Sequence, residues 1–161
     1  MEADLKLAVN NRVECSRTLD VGYCLDILTN EDIFDAISED GSTFESLKID
    51  VINELWVKIE ANGTDIGVVQ FKRMFNQCFD AHIHILPEYR KEYSQEAGER
   101  IWRWVMSHLK GSLIYTNVPV FCQNVVHFLE GFGFEQKGYL DSAWLKNGKL
   151  NDMIILTKRA R

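Results

Sequence analysis

The chain has 161 residues, of which 46% are hydrophobic and 26% charged, and a formal net charge of -6. That length suits one domain burying roughly 70% of the surface its unfolded chain would expose, and two prolines in all exclude a long proline-rich or disordered segment. The negative balance argues against a broad nucleic-acid surface, and no stretch approaches the ~20 apolar residues of a membrane span.

A soluble, cytoplasmic protein folding as one domain over residues 1–161 is therefore expected, with an oligomer left open. Cys15, Cys24, Cys78 and Cys122 have neither metal nor redox spacing, which predicts reduced and mostly buried thiols. Lys158, Arg159 and Arg161 read as a solvated basic tail.

Residues 1–50 supply a first strand and two helices. Leu5, Leu7 and Val9 alternate with Lys6 and Ala8, a period-2 signal, although residues 11–17 compete for the same strand. Between Leu19 and Ile37 the apolar residues recur at helical spacing, and Thr29 or Asn30 ahead of Glu31 and Asp32 predicts a second helix start.

Residues 52–158 open as a meander. Leu55, Val57 and Ile59 alternate with polar neighbours up to Asn62-Gly63, after which a second run extends from Ile66 through Phe71. Asn-Gly between alternating runs marks a type I′ hairpin, because both turn residues must tolerate positive φ. A third strand, Phe79 to Leu86, places Phe79, Ala81, Ile83 and Ile85 on one face and Asp80, His82 and His84 on the other.

Ala97, Ile101, Trp104, Val105 and Leu109 then trace an amphipathic helix, with Ser94 as its candidate cap and Lys110-Gly111 as its stop. Leu113–Thr116 reads as a strand and Gln123–Gly131 as a helix, and Phe134–Trp144 with Leu150–Thr157 form a closing pair around Asn147-Gly148. This order predicts an α/β (α+β) fold: a central, mixed, mostly antiparallel twisted sheet of about six or seven strands with helices on both faces.

Two stretches resemble the GNAT superfamily of acetyl-CoA-dependent N-acetyltransferases, and the likeness covers residues 52–158. Ile85-Leu86-Pro87-Glu88-Tyr89-Arg90 is similar to the family's fourth strand running into its V-x-P-x-Y-R coenzyme motif. Asn124 through Phe134 is similar to the family's N-x-x-A-x-x-x-Y-E-K-x-G-F helix and exit. Within the superfamily the chain looks most like divergent GNAT-like proteins of tailed bacteriophages, which would place it in host cytoplasm or in a virion.

The resemblance implies acetyl-CoA as cosubstrate and an amine acceptor as partner. The coenzyme would lie along Ile85, Leu86, Arg90, Lys91, Tyr93, Ser94, Gln95, Ala97 and Gly98, with Asn117 and Asn124 beside its pantetheine arm. Two departures stand out. The family's R-x-x-G-x-G/A glycines are absent from Arg90-Lys91-Glu92-Tyr93-Ser94-Gln95, and Leu129 occupies the position of the tyrosine that protonates the departing thiolate.

Amide formation needs a neutral amine, and removing the proton from a lysine-like amine at pH 7 costs roughly 4–5 kcal/mol. His84 and His82 are the candidate bases, since an imidazole near its ordinary pKa matches that task. Tyr139 is the candidate replacement acid, with Tyr93 and Tyr115 as alternatives. The same histidines read equally as the polar side of a half-exposed sheet. With Asp80 they could share a zinc, but no fourth ligand is evident, and no metal is expected. A GNAT-fold protein without catalysis, acting as a structural or host-interaction module, is the alternative function.

Overall fold

The computed structural model describes residues 12–161. Their elements run β1 (Val13–Arg17), α1 (Val21–Leu28), α2 (Glu31–Ile37), a 3-10 turn (Phe44–Ser46), β2 (Leu55–Ala61), β3 (Thr64–Phe75) and β4 (Cys78–Ile85). Then follow α3 (Pro87–His108), β5 (Leu113–Pro119), α4 (Gln123–Gly131), β6 (Glu135–Lys146) and β7 (Lys149–Arg159). The expected strand at Leu5–Val9 lies outside the described residues, and the competing stretch forms β1.

Local chemistry sets the boundaries. The Asp20 carboxylate accepts from the Tyr23 N–H at 3.0 Å and so starts α1, while Asn30 Oδ1 accepts from the N–H groups of Asp32 and Ile33 and starts α2. Both Asn-Gly turns form as expected: Asn62 and Gly63 have φ of 50° and 78°, and Asn147 and Gly148 have 53° and 73°. Gly111, at φ 89°, ends the segment after α3.

Among the described residues the sheet has seven strands in the order β1-β2-β3-β4-β5-β7-β6. Every neighbouring pair is antiparallel except β4 with β5, which are joined through α3 as a crossover requires. Cys24, Ile27, Leu28 and Ile33 of α1 and α2 pack on Trp56 and Val68 on one face. On the other, Ala97, Trp104 and Val105 of α3 pack on Val57, Phe71, Phe79 and Ile114, and α4 seats Val126 on Val118, Ile154 and Leu156.

Close approach of main chain fixes one glycine. A β-carbon on Gly67 would strike the His84 carbonyl oxygen and lie 3.2 Å from Ile85 Cα. The adjoining register shift at Ile59/Glu60 is held by the Tyr23 hydroxyl, which donates to the Gly67 carbonyl at 2.5 Å with the Ile59 carbonyl 3.4 Å away.

Two expectations change here. Of the four free cysteines only Cys24 is buried, the others being half-buried. The C-terminal basic residues are not a loose tail: Lys158 Nζ sits 3.8 Å above the Trp102 ring and donates to the Phe132 carbonyl, and Ala160 is fully buried.

Candidate functional site

β4 and β5 pair only from Cys78–Leu113 to Asp80–Tyr115 and then part, although β4 continues to Ile85 and β5 to Pro119. Their facing edges beyond Asp80 therefore carry main-chain groups with no ladder partner between them, a slot suited to an extended, amide-bearing ligand. Under the slot, on the α3 and α4 side, lies a cavity of about 70 Å³ lined by Ala81, Ile83, Ile114, Thr116, Phe128 and Phe132 among others.

On the opposite face Asp80, His82 and His84 project together, as the alternation required. His82 Nε2 lies 2.9 Å from Asp80 Oδ1. Burial, reinforced by the charges of His82 and Arg90, pushes His84 down to about 3. His84 is therefore neutral throughout the physiological range and does not titrate near 6–7, which corrects the expectation of an imidazole with ordinary basicity.

The corner after β4 also differs from expectation. Leu86 caps α3 in extended conformation, Pro87 takes the first helical position, and the helix then runs unbroken for 22 residues. Pro87 is pre-set for that position by its fixed φ, and the absence of glycine from Arg90 to Ala97 leaves nothing to interrupt the helix. Ser94 is thus interior to the helix and not its cap.

Helical geometry commits each N–H beyond the first turn to the carbonyl four residues back. Pro87 has no N–H, and that of Tyr89 donates to the Leu86 carbonyl at 3.0 Å. Lys91, Tyr93, Ser94, Gln95, Ala97 and Gly98 consequently offer no free main-chain donor, and a main-chain diphosphate cradle does not form across them.

Side chains along this helix are partly engaged elsewhere. Arg90 Nε donates back to the Ile85 carbonyl at 2.8 Å. Tyr93 packs against Tyr89, with the Arg12 guanidinium 4.9 Å from its ring centroid. Gln95 Nε2 donates to Glu99 at 3.3 Å, Ala97 is buried, and Gly98 faces Phe132. Lys91 is exposed and Ser94 half-buried.

Tyr139 is not brought to the histidines. It is 63% exposed on β6, three strand spacings or about 14 Å from β4. Its register partner Ile154 faces α4, so Tyr139 lies on the other side of the sheet from His84. Tyr115 opposes Asp80 on the histidine face, and Asn117 follows it two residues on. Asn124 is exposed in the first turn of α4, whereas Leu129 packs into the α4 cluster and has no proton to give. Among the described residues no three potential ligands gather into a metal site, and no helix is long and apolar enough to cross a membrane.

The tip of the β6–β7 hairpin is tied to α2 and the segment after it. Asp40 accepts from the N–H groups of Asn147 and Gly148 at 2.9 and 2.7 Å, Glu39 accepts from Leu145 at 2.8 Å, and Lys146 Nζ donates to Asp35 and Ser38.

Among solved structures, the spermidine N-acetyltransferase of Vibrio cholerae in complex with CoA and spermine superposes with a TM-score of 0.75 at 21% identity, over 92% of this chain and 96% of that one. A chimera of the Vibrio cholerae spermidine N-acetyltransferase SpeG with hSSAT gives 0.75 at 19%, over 93% and 96%. No curated protein matches the chain. The mixed seven-stranded sheet with helices on both faces is that of these acetyltransferases, the GNAT fold. A family model described as "Protein of unknown function (DUF2824)" matches residues 20–159, and the chain belongs to that family.

Proposed function

We propose that the chain is an acyl-CoA-dependent N-acetyltransferase that moves acetyl from acetyl-CoA to a primary amine of a protein or small molecule. The parting of β4 and β5 beyond Asp80 and Tyr115 carries this reading. A pantetheine arm would lie between Ile85 and Leu86 on one side and Asn117 and Asn124 on the other, hydrogen-bonded to open strand edges. The fold-level likeness to an acetyltransferase solved with CoA and spermine supports it.

The slot fits such an arm, but the first turn of α3 does not provide the main-chain phosphate cradle. The Arg90 and Lys91 side chains, at the positive end of the helix, would have to hold the diphosphate instead. Transfer joins the amine nitrogen to the acyl carbon and breaks the carbon–sulfur bond, and the amine proton must leave. His82, whose Nε2 lies 2.9 Å from an Asp80 Oδ1 that accepts no hydrogen bond, is the better-placed base; neutral His84 would accept a hydrogen bond from the amine. Tyr115 on the same face is better placed than Tyr139 to return a proton to the thiolate.

The helical corner favours a second reading, a GNAT-fold module without catalysis that acts in a phage particle or against a host protein, whether in the cytoplasm or in the virion. Calorimetry with acetyl-CoA and free coenzyme A, paired with thiol-release assays on a lysine-containing peptide, separates the two. Micromolar binding with release of thiol, lost in His82→Ala, is the expected result. Absence of heat at millimolar acetyl-CoA would overturn the transferase and leave the module.

A further inference from the structure

Among the described residues β1 is the edge strand of the sheet, and its open side faces a groove of about 430 Å³ against α3, with Cys15, Arg100, Arg103, Ser107 and His108 among its lining. The direction of the main-chain groups follows from two bonds. Thr18 N–H donates to the Trp56 carbonyl and Asn62 N–H to the Arg12 carbonyl, so even-numbered residues of β1 turn toward β2. Alternation then points the N–H and C=O of Val13, Cys15 and Arg17 outward into the groove.

At the upper end of this edge the chain already satisfies one of those groups with a carboxylate. Glu96 Oε1 accepts from the N–H of Val13 at 3.1 Å and from that of Arg12, which precedes β1, at 2.9 Å, while Glu96 and Glu92 also bind the Arg12 guanidinium at 3.1 and 3.0 Å. One helical stripe of α3 carries Glu92, Glu96, Arg100, Arg103 and Ser107 at spacings of three or four. Its upper half is acidic and paired. Its lower half turns basic just where the β1 edge has no side-chain cap, and neither Arg100 nor Arg103 has an ion-pair partner among the described residues.

His108 adds a third polar group to the same wall. Its Nδ1 is 2.8 Å from the Trp104 carbonyl, and its ring stacks 4.3 Å from that of Trp104, which fixes Nδ1 as the protonated nitrogen and turns Nε2 away from the helix. Glu14 and Glu60 also border the groove, but Glu60 is paired with Lys58 and Glu14 alternates with Val13 and Cys15 toward the other face of the sheet.

We propose that this groove docks an extended acidic peptide segment, which adds to the sheet as a strand beside β1. Its main chain would bond the N–H and C=O of Cys15 and Arg17, and every second side chain would place a carboxylate on Arg100 and Arg103. Strand addition takes affinity from main-chain bonds and specificity from alternate side chains, and guanidinium–carboxylate pairs supply the geometry. The site is independent of the β4–β5 slot.

The test uses the full chain with a capped hexapeptide alternating glutamate and valine, followed by calorimetry and amide hydrogen exchange. Saturable binding below about 1 mM, weakening with added salt and slowing exchange of the Cys15 and Arg17 amides, is expected. The Arg100→Gln, Arg103→Gln double variant should lose about tenfold or more, and so should the glutamine analogue of the peptide against the unaltered protein. Binding that survives N-methylation of the peptide backbone, or that ignores both arginines, would overturn the proposal. Cys15 protection already present without peptide would overturn it too, by assigning the edge to a second copy if it grows with protein concentration, or to the chain itself if it does not.

Discussion

The Phe132 ring stands where a side chain on Gly98 would begin: a β-carbon built there would lie 2.6 Å from Phe132 Cε2 and closer still to Cζ. Gly98 is interior to α3 and Phe132 caps α4, so the contact sets how closely the two helices meet over the apolar cavity. Replacing an interior helical glycine by alanine ordinarily stabilises by about 1 kcal/mol. Here the added methyl must displace an aromatic ring that Phe128 also contacts at 5.0 Å between centroids.

Gly98→Ala should therefore destabilise by a net ~1–3 kcal/mol, the usual cost of overpacking, measured by urea denaturation. Adding Phe132→Leu should recover most of the loss, because the clash is with the ring and not with main chain. A Gly98→Ala protein more stable than the parent would show that the helices part freely at this point.

His84 gives a pH prediction whose sign follows from its direction of shift. Its folded pKa of about 3 lies below the unfolded value of about 6.5, so between these limits the unfolded chain binds more protons. Stability is then unaffected by this group above pH 6.5 and falls as pH drops, by up to about 1.4 kcal/mol per unit. Between pH 7 and pH 5 the parent should lose about 1–2 kcal/mol more than His84→Gln. Equal slopes for the two proteins would mean that His84 is protonated without penalty.

Much of the architecture was written locally. Asn62-Gly63 and Asn147-Gly148 specify their turns because few other dipeptides accept two positive φ values, and the Gln123–Gly131 helix has both its stripe and its stop in sequence. The start of α3 was harder to place, since Pro87 suits a loop exit and a first helical turn equally. The run of good helix formers from Glu88 to Ala97 was the available signal, and the family likeness pointed the other way.

The site was legible by face but not by depth. Alternation put Asp80, His82 and His84 on one side of β4, yet it carries no information about what covers them, so the burial that suppresses His84 could not be read. Tyr139 lies away from the histidines for a topological reason: β7 inserts between β5 and β6, which moves β6 one strand farther out. Tyr115 gains its position from a three-residue parallel ladder that no local pattern announces.

The tie between the β6–β7 hairpin tip and residues 35–40 should be removable without unfolding the sheet. Lys146 is the central tie, its ammonium donating to the Asp35 carbonyl at 2.6 Å, the Asp35 carboxylate at 2.9 Å and the Ser38 carbonyl at 3.0 Å. Lys146→Met keeps the stem and removes all three bonds, and should cost about 1–2 kcal/mol, toward the low end for bonds to a charged group because water reaches the vacated acceptors. Asp40 is held below the usual carboxylate range chiefly by the Gly148 and Asn147 N–H groups. A depressed carboxylate contributes stability above its unfolded pKa that is lost as pH falls through the folded value, so the Asp40 tie should be intact at pH 5 and fail only in stronger acid. Asp40→Asn should quicken exchange of the Asn147 and Gly148 amides several-fold at pH 7 while amides of the central strands β3 and β4 keep their protection. If those central amides quicken to the same degree, the hairpin tip is part of the global folding unit and does not open separately.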